Sequence, residues 1–153
     1  MRFIYGLLLF LVGTLWAVEP ASLLILKHGK YEYPISRSEL DSLPQIEFST
    51  TTPWSNGLHT YRGPLLASLL KSRGIQSQKM QLIGLDEYTQ PLDLSKFNGV
   101  EVILATSEDG RLLPRRSRGY VWVMLPFSRY PELDHTDIHA LMVWQLTRIE
   151  SQP

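Results

Sequence analysis

The chain has 153 residues, with 15 lysines and arginines, 15 aspartates and glutamates, and no cysteine, so its formal net charge is zero at pH 7. This balance argues against nucleic acid or an anionic membrane surface as a partner, and the missing cysteine excludes disulfides, thiolate catalysis and thiolate metal ligands. A chain of this length buries roughly two-thirds of its unfolded surface, which is enough for one core.

The N-terminal segment predicts an export signal. Arg2 precedes an uncharged, mostly apolar run over residues 3–16, which is shorter than the roughly 20 residues of a spanning helix. We therefore predict a signal peptide at residues 1–17, cleaved after Ala17, a periplasmic mature protein of net charge −1 with no stable membrane insertion, and one domain over residues 22–150. An uncleaved membrane anchor is the alternative.

The first third of the predicted domain shows a hairpin and a short helix. Residues 22–27 and 31–35 are apolar runs that predict two strands, with Gly29 in the turn between them. Ser36 and Glu39 have the spacing of a capping box, in which each side chain bonds the backbone of the other residue, and they predict a one-turn helix.

The rest of the chain predicts many short strands and one firm helix. Alternating polarity predicts a strand over residues 45–49, and a helix follows with Pro64 at its first position and Gly74 just beyond its end. Further short elements are a helical turn at residues 93–97, a turn at 108–110, and strands at residues 80–85, 100–105, 120–125 and 142–149. The pattern indicates a strand-rich, mixed-sheet α+β domain with few short helices.

Hydroxyl groups and an indole follow the strand at residues 45–49. Thr50, Thr51 and Thr52 precede Trp54, and such groups at a strand end can bind a polar or anionic ligand while the indole covers its apolar face. The alternative is that the threonines simply suit a strand and that Trp54 belongs to the core.

An arginine cluster occupies a predicted loop. Arg111, Arg115, Arg116 and Arg118 lie within eight residues. Guanidinium groups bind phosphate and carboxylate, so Arg115 and Arg118 are candidate ligand-binding residues. A solvated loop is the alternative.

Two weaker candidates remain. Asp86 and Tyr88 lie in a predicted loop with Glu87 and could supply a general base or hydrogen bonds to a ligand, although a solvated turn is the more frequent reason for such a composition. His135 and His139 would share one face of a helix, as metal ligands can, but no third ligand is firmly placed. We therefore predict no metal site.

The order of segments resembles the molybdopterin-binding domain of the sulfite oxidase type, in its small stand-alone exported form. The resemblance extends over residues 22–150. It rests on residues 29–34, Ser38, Leu40, Leu43 and Pro44, residues 50–54, Tyr61, residues 63–70, Gly74, Asp86, Tyr88, residues 102–106, Asp109, Gly110, residues 119–126, Trp144, Gln145, Leu146, Arg148 and Ile149. The resemblance implies a compact, strand-rich α+β fold.

The chain departs from the family at two positions that matter for chemistry. Catalytic members hold molybdenum through a cysteine thiolate just after the strand corresponding to residues 45–49, where this chain has serine and threonines. Members also tend to carry an arginine shortly after the glycine matching Gly119, where residues 120–123 contain none. Hydroxyl groups are poor substitutes for a soft thiolate ligand. We therefore expect no bound cofactor.

Three functional hypotheses follow. The leading one is a non-catalytic periplasmic ligand-binding or sensing module on this scaffold. The resemblance implies a molybdopterin-dependent oxidoreductase as the alternative, with an atypical non-cysteine metal site and the pterin held by Arg115, Arg116 or Arg118. The third hypothesis is a protein that recognises a membrane receptor through exposed aromatic residues such as Trp54 and Trp122.

Overall fold

A computed structural model describes residues 18–153 of the chain. The predicted signal peptide lies outside the described residues. Within the described part, no helix is long and apolar enough to cross a membrane. The architecture is a mixed α+β arrangement with three strand groups and few short helices, as the sequence predicts.

The largest sheet joins the two ends of the described chain. Its five strands are, in spatial order, β2 (Tyr31–Ile35), β1 (Leu24–His28), β11 (Leu146–Ser151), β5 (Lys79–Gly84) and β6 (Thr89–Asp93). Strand β1 runs parallel to β11, with Leu26 opposite Ile149, whereas the other pairs are antiparallel. The predicted β1–β2 hairpin is confirmed, and Gly29 turns it with φ of +57°, a conformation that suits glycine.

Two smaller strand groups complete the sheets. One contains β3 (Gln45–Thr50), β4 (His59–Pro64), β8 (Ser107–Glu108) and β9 (Arg111–Leu112), and the other contains β7 (Ile103–Ala105) and β10 (Trp122–Met124). Asp109 and Gly110, both with positive φ, form the predicted turn between β8 and β9, and this pair is typical of two-residue hairpin loops.

The helices are short, and the predicted signals at two of their ends are confirmed. Helix α1 (Arg37–Ser42) begins with the predicted capping box: the Ser36 hydroxyl accepts the Glu39 N–H at 3.3 Å, and the Glu39 carboxylate accepts the Ser36 N–H at 2.8 Å. Helix α2 (Leu66–Ser72) ends before Gly74, whose φ is +68°. The remaining helical elements are α3 (Thr136–His139) and 3₁₀ turns at Leu94–Phe97 and Pro131–Leu133.

The prediction that Pro64 occupies the first helical position is wrong. Pro64 is the last residue of β4 and pairs with Gln45. Leu65 remains extended because it bridges to Ile103 at the start of β7. Pairing with a second strand therefore prolongs the extended chain, and the helix begins at Leu66.

The predicted strand at residues 142–149 begins only at Leu146. The Met142 carbonyl accepts a hydrogen bond of 3.1 Å from the indole nitrogen of Trp122, and Gln145 has φ of +47°. The chain here forms an irregular turn before it enters β11.

Strand β6 was not predicted from the sequence. It contains Pro91, and a proline within a run of residues argues against a strand because it cannot donate a backbone hydrogen bond. Strand β6 lies at the edge of its sheet and has a neighbouring strand on one side only. Proline lacks a backbone N–H, but at an edge this costs no hydrogen bond between two central strands.

One hydrophobic cluster connects all three strand groups. Its largest fully buried side chains are Trp122, Tyr61 and Phe127, and it includes Leu26 and Leu82 from the large sheet. Tight packing also reaches the backbone, because a Cβ atom on Gly63 would lie 2.0 Å from the Leu104 carbonyl oxygen. Strands β4 and β7 thus approach closely only with glycine at this position.

Replacement of this glycine tests the close approach. We expect Gly63→Ala to destabilise the protein by about 3 kcal/mol or more, because backbone atoms must move to admit the methyl group. Gly99→Ala is the control: its φ is +78° but nothing lies within 4 Å of the added carbon, so only the backbone conformation is strained. That variant should lose about 1–2 kcal/mol. Urea unfolding measures both, and equal losses would contradict the close packing.

Candidate functional site

The main cleft lies where loops from distant parts of the chain meet. Its volume is about 670 Å³, within the range of roughly 300–1,000 Å³ typical of small-molecule sites. The lining residues are Pro53, Trp54, Asp86, Tyr88, Thr136, His139, Ala140, Met142, Trp144 and Gln145. Aromatic rings and apolar groups dominate this surface, and two of the rings are tryptophans.

A buried tryptophan supports both cleft tryptophans. The Trp122 ring is fully buried in β10, with its centroid 6.2 Å from that of Trp54 and 6.0 Å from that of Trp144. The rings of Trp54 and Trp144 contact each other edge to face, with their centroids 5.3 Å apart. They remain 42% and 39% exposed, respectively, so each ring packs on Trp122 and is still partly accessible to solvent.

The loop that carries Trp54 is held by the threonines in front of it. The Thr50 hydroxyl is buried, accepts the Ser128 N–H at 3.0 Å and donates to the Thr51 carbonyl at 3.1 Å. The Thr52 hydroxyl bonds that of Ser55 at 2.8 Å and accepts the Trp54 N–H at 3.3 Å. These two hydroxyls are used within the fold, where they fix the loop.

A second loop places Asp86 and Tyr88 beside the tryptophans. The Asp86 carboxylate accepts the Tyr88 N–H at 3.2 Å, and Gly84 exchanges two backbone bonds with Glu87 and Tyr88 at 3.1 and 2.9 Å. Glu87 has φ of +63°. The Tyr88 hydroxyl donates to the Ala140 carbonyl at 3.3 Å, which ties this loop to the opposite wall.

A strained turn presents Trp144. The next residue, Gln145, adopts the left-handed conformation, its N–H donates to the Arg118 carbonyl at 2.6 Å, and its own carbonyl accepts the Leu85 N–H at 3.0 Å. Gly119 makes this possible, because a Cβ there would lie 2.4 Å from the Gln145 Cα. Strain of this kind persists only where the surroundings enforce it.

The cleft carries little charge, and what it carries is negative. Its lining includes one carboxylate, Asp86, and one imidazole, His139, whose Nε2 lies 2.7 Å from the Asp134 carboxylate. Within residues 18–153, no lysine or arginine lines the cleft.

The structure brings together three of the sequence-predicted site residues and separates the others. Trp54, Asp86 and Tyr88 line the main cleft, whereas Arg115 and Arg118 line two other depressions. Sequence reasoning missed Trp144, because the apolar run around it predicts a strand. It also offered Trp122 as an exposed aromatic residue, which is wrong, since this side chain is fully buried in the core.

The two histidines considered as metal ligands do not come together as a site. His139 packs edge to face on Phe127 and Trp54 and bonds Asp134, while His135 is exposed. Among residues 18–153, no three histidine, aspartate or glutamate side chains cluster in a way that could hold a metal ion.

Arg118 belongs to a separate charged network around Glu108. The Glu108 carboxylate accepts bonds from Arg118 at 2.5 Å and from the Tyr61 hydroxyl at 2.9 Å. The pKa of Tyr61 is raised to about 12, mainly because the side chain is buried and secondly because its hydroxyl donates to Glu108. The Arg118 guanidinium also lies over the Trp122 ring, 4.6 Å from its centroid. This arginine therefore packs and pairs within the fold.

His59 and Asp109 form the neighbouring pair. Their side chains meet at 2.7 Å, and this bond raises the pKa of His59 above its usual value. The pKa of Asp109 is lowered, first by the Thr60 N–H that its carboxylate accepts and then by His59.

The sequence matches no known family profile and no curated protein. Among solved structures, the fold is similar to the sulfane dehydrogenase SoxCD from Paracoccus pantotrophus, with a TM-score of 0.64 and 13% sequence identity. The match covers 89% of this chain, which spans 40% of the length of that one. The likeness is one of fold alone, and it is consistent with the strand-rich, sulfite oxidase-type α+β architecture that the resemblance implies.

The His59–Asp109 pair predicts a pH dependence. Because the folded pKa of His59 is raised, its contribution to stability is present below the usual value of 6.5 and is lost as the pH rises through the folded pKa. The lowered pKa of Asp109 gives a contribution present above 3.8 and lost on acidification. The pair should stabilise the fold most between these values.

An NMR titration of the His59 ring measures this coupling. Asp109→Asn should move the His59 pKa down towards 6.5, whereas Glu108→Gln should move it less, because that carboxylate is 3.7 Å away and is the weakest contributor. Asparagine also tolerates the positive φ at position 109. An unchanged His59 pKa in the Asp109 variant would contradict the assignment.

Proposed function

We propose that the chain is an exported, non-catalytic binding or sensing module whose small ligand occupies the cleft between Trp54, Tyr88 and Trp144. The observation that carries this proposal is the pair of half-exposed tryptophans, which face one cleft and are anchored on a buried third. Apolar surface of this kind is removed from water when a ligand covers it. A binding role therefore accounts for the exposure of both rings.

Hydrogen bonds within the fold hold the loops of the cleft. Thr52 accepts the Trp54 N–H, Gly84 bonds the backbone of Glu87 and Tyr88, and Arg118 accepts the Gln145 N–H. Binding therefore requires little ordering of loops, which leaves more of the contact energy as affinity. A preorganised surface is what a selective binding module needs.

The residues present do not fit a molybdopterin cofactor. The sequence has no cysteine, and the hydroxyls of Thr50, at the end of β3, and of Thr52, two residues later, are occupied by internal bonds. Of the arginines that the alternative hypothesis assigns to the pterin, Arg118 is paired with the Glu108 carboxylate and packed on the Trp122 ring. We therefore propose no redox step and no catalytic residue.

A protein receptor is less favoured as the partner. That hypothesis offered Trp54 and Trp122 as examples of exposed aromatic residues, but Trp122 is fully buried. The exposed indoles of residues 18–153, Trp54 and Trp144, line a concave cleft, a shape that suits a small molecule.

Native mass spectrometry of the protein isolated from the periplasm tests export and cofactor content together. We expect a chain shortened by residues 1–17, a bound small molecule and no stoichiometric molybdenum. Metal analysis of the same sample supplies the control. One molybdenum per chain would overturn the non-catalytic proposal, and an uncleaved, membrane-retained chain would overturn the exported form of it.

Tryptophan variants test the cleft itself. Small neutral aromatic and aliphatic probes should shift the indole N–H signals of Trp54 and Trp144 in NMR spectra. Trp54→Ala and Trp144→Ala should each weaken this binding by about fivefold or more, since a stacked indole contributes roughly 1 kcal/mol or more. Tyr31→Ala is the matched control, because Tyr31 is an exposed aromatic residue on β2, outside the cleft. Equal affinity in all variants would contradict the proposal.

A further inference from the structure

We infer that the ligand of the aromatic cleft is a small organic cation, with a quaternary or methylated ammonium group as its recognised feature. This inference rests on the proposed binding function and specifies the chemistry of its ligand. Its basis is the combination of aromatic rings and a carboxylate in a cleft that no basic side chain of the described residues lines.

The aromatic walls have the geometry that such a cation uses. The Trp54 and Trp144 rings meet at 75°, so they form two walls of a corner rather than a flat platform. Tyr88, which is 44% exposed, lines the same cleft. The negative faces of aromatic rings attract a cation within about 6 Å of their centroids, and tryptophan is the strongest partner.

The charge around the cleft has the complementary sign. Asp86 is exposed at the cleft, and among residues 18–153 its carboxylate accepts one hydrogen bond, from the backbone N–H of Tyr88. It forms no ion pair among the described residues. Glu87 follows it, but the charge of Glu87 interacts with that of Arg148. Asp86 therefore gives the cleft a local negative charge, which attracts cations and repels anions.

A methylated ammonium group suits this surface better than a primary amine. Its methyl groups are weakly hydrated and can cover the indole rings, whereas a primary ammonium loses strong hydrogen bonds to water that one carboxylate replaces only in part. Asp86 is the one carboxylate of the lining, and the other side-chain oxygens, those of Tyr88, Thr136 and Gln145, are neutral. The cleft thus offers dispersion and electrostatics but few charged acceptors.

Choline and its neutral isostere 3,3-dimethylbutan-1-ol provide the decisive comparison. The two molecules share shape and hydroxyl group but differ in charge. We expect choline to bind about tenfold more tightly when the NMR shifts of the Trp54 and Trp144 indole signals are followed. If the isostere binds as well as choline, the cation inference is overturned while the proposed binding function stands. If neither these molecules nor the neutral probes bind, both are overturned.

Conservative variants separate the two contributions. Trp54→Leu and Trp144→Leu keep apolar volume but remove the ring, and each should weaken choline about fivefold while the isostere changes little. Asp86→Asn keeps the acceptor for the Tyr88 N–H but removes the charge, and should weaken choline about threefold. Asp41→Asn is the matched control: Asp41 is exposed on α1, outside the cleft, and its replacement should leave choline affinity unchanged. Choline affinity unchanged in all three cleft variants would overturn the inference.

Phosphocholine distinguishes a free cation from a lipid headgroup. Its phosphate brings negative charge to an acidic surface, so we expect weaker binding than for choline, with a difference that shrinks in high salt. Tighter binding of phosphocholine would overturn the assignment to a free organic cation.

Discussion

The packing of Trp122 is the interaction on which the candidate site depends. This indole lies on β10 in the middle of the core. The centroid of the Tyr61 ring is 5.5 Å from its own, and the Arg118 guanidinium covers one of its faces. Its single polar atom donates to the Met142 carbonyl and so fixes the segment that carries Trp144. The contacts that pack the core around Trp122 therefore also position the side chains of the cleft. The walls of the cleft are extensions of the close-packed interior.

Two of the strained residues of the backbone lie at this cleft. Of the three residues other than glycine with positive φ in the described chain, Glu87 and Gln145 adjoin lining side chains, and Asp109 forms the β8–β9 hairpin turn. Left-handed conformations cost free energy, so they persist where many contacts enforce them. At Gln145 two backbone bonds do so: its N–H donates to the Arg118 carbonyl, and its carbonyl accepts the Leu85 N–H. The regular sheets supply stability, whereas the turns supply the arrangement of the site.

Local signals in the sequence were sufficient for the local structure. The capping box at Ser36, the turn at Gly29 and the helix end at Gly74 each depend on residues within five positions, and each is confirmed. Pro64 and Trp144 were misassigned because distant strands and carbonyls decide their conformation. Similarly, the composition of its loop predicts Arg118 near solvent, whereas its partner Glu108 lies on β8 and is brought to it only by the path of the folded chain. The cleft joins residues about ninety positions apart, and no short pattern encodes that.

The parallel pairing of β1 with β11 has a consequence for the order in which the sheet can form. Strand β11 lies between β1 and β5 in the middle of its sheet, and its partners on β1 precede it by about 120 positions. Contacts of such sequence separation form slowly, because a long stretch of chain must close into a loop first. The β1–β2 and β5–β6 hairpins can each pair locally, but they become one sheet only when β11 enters between them.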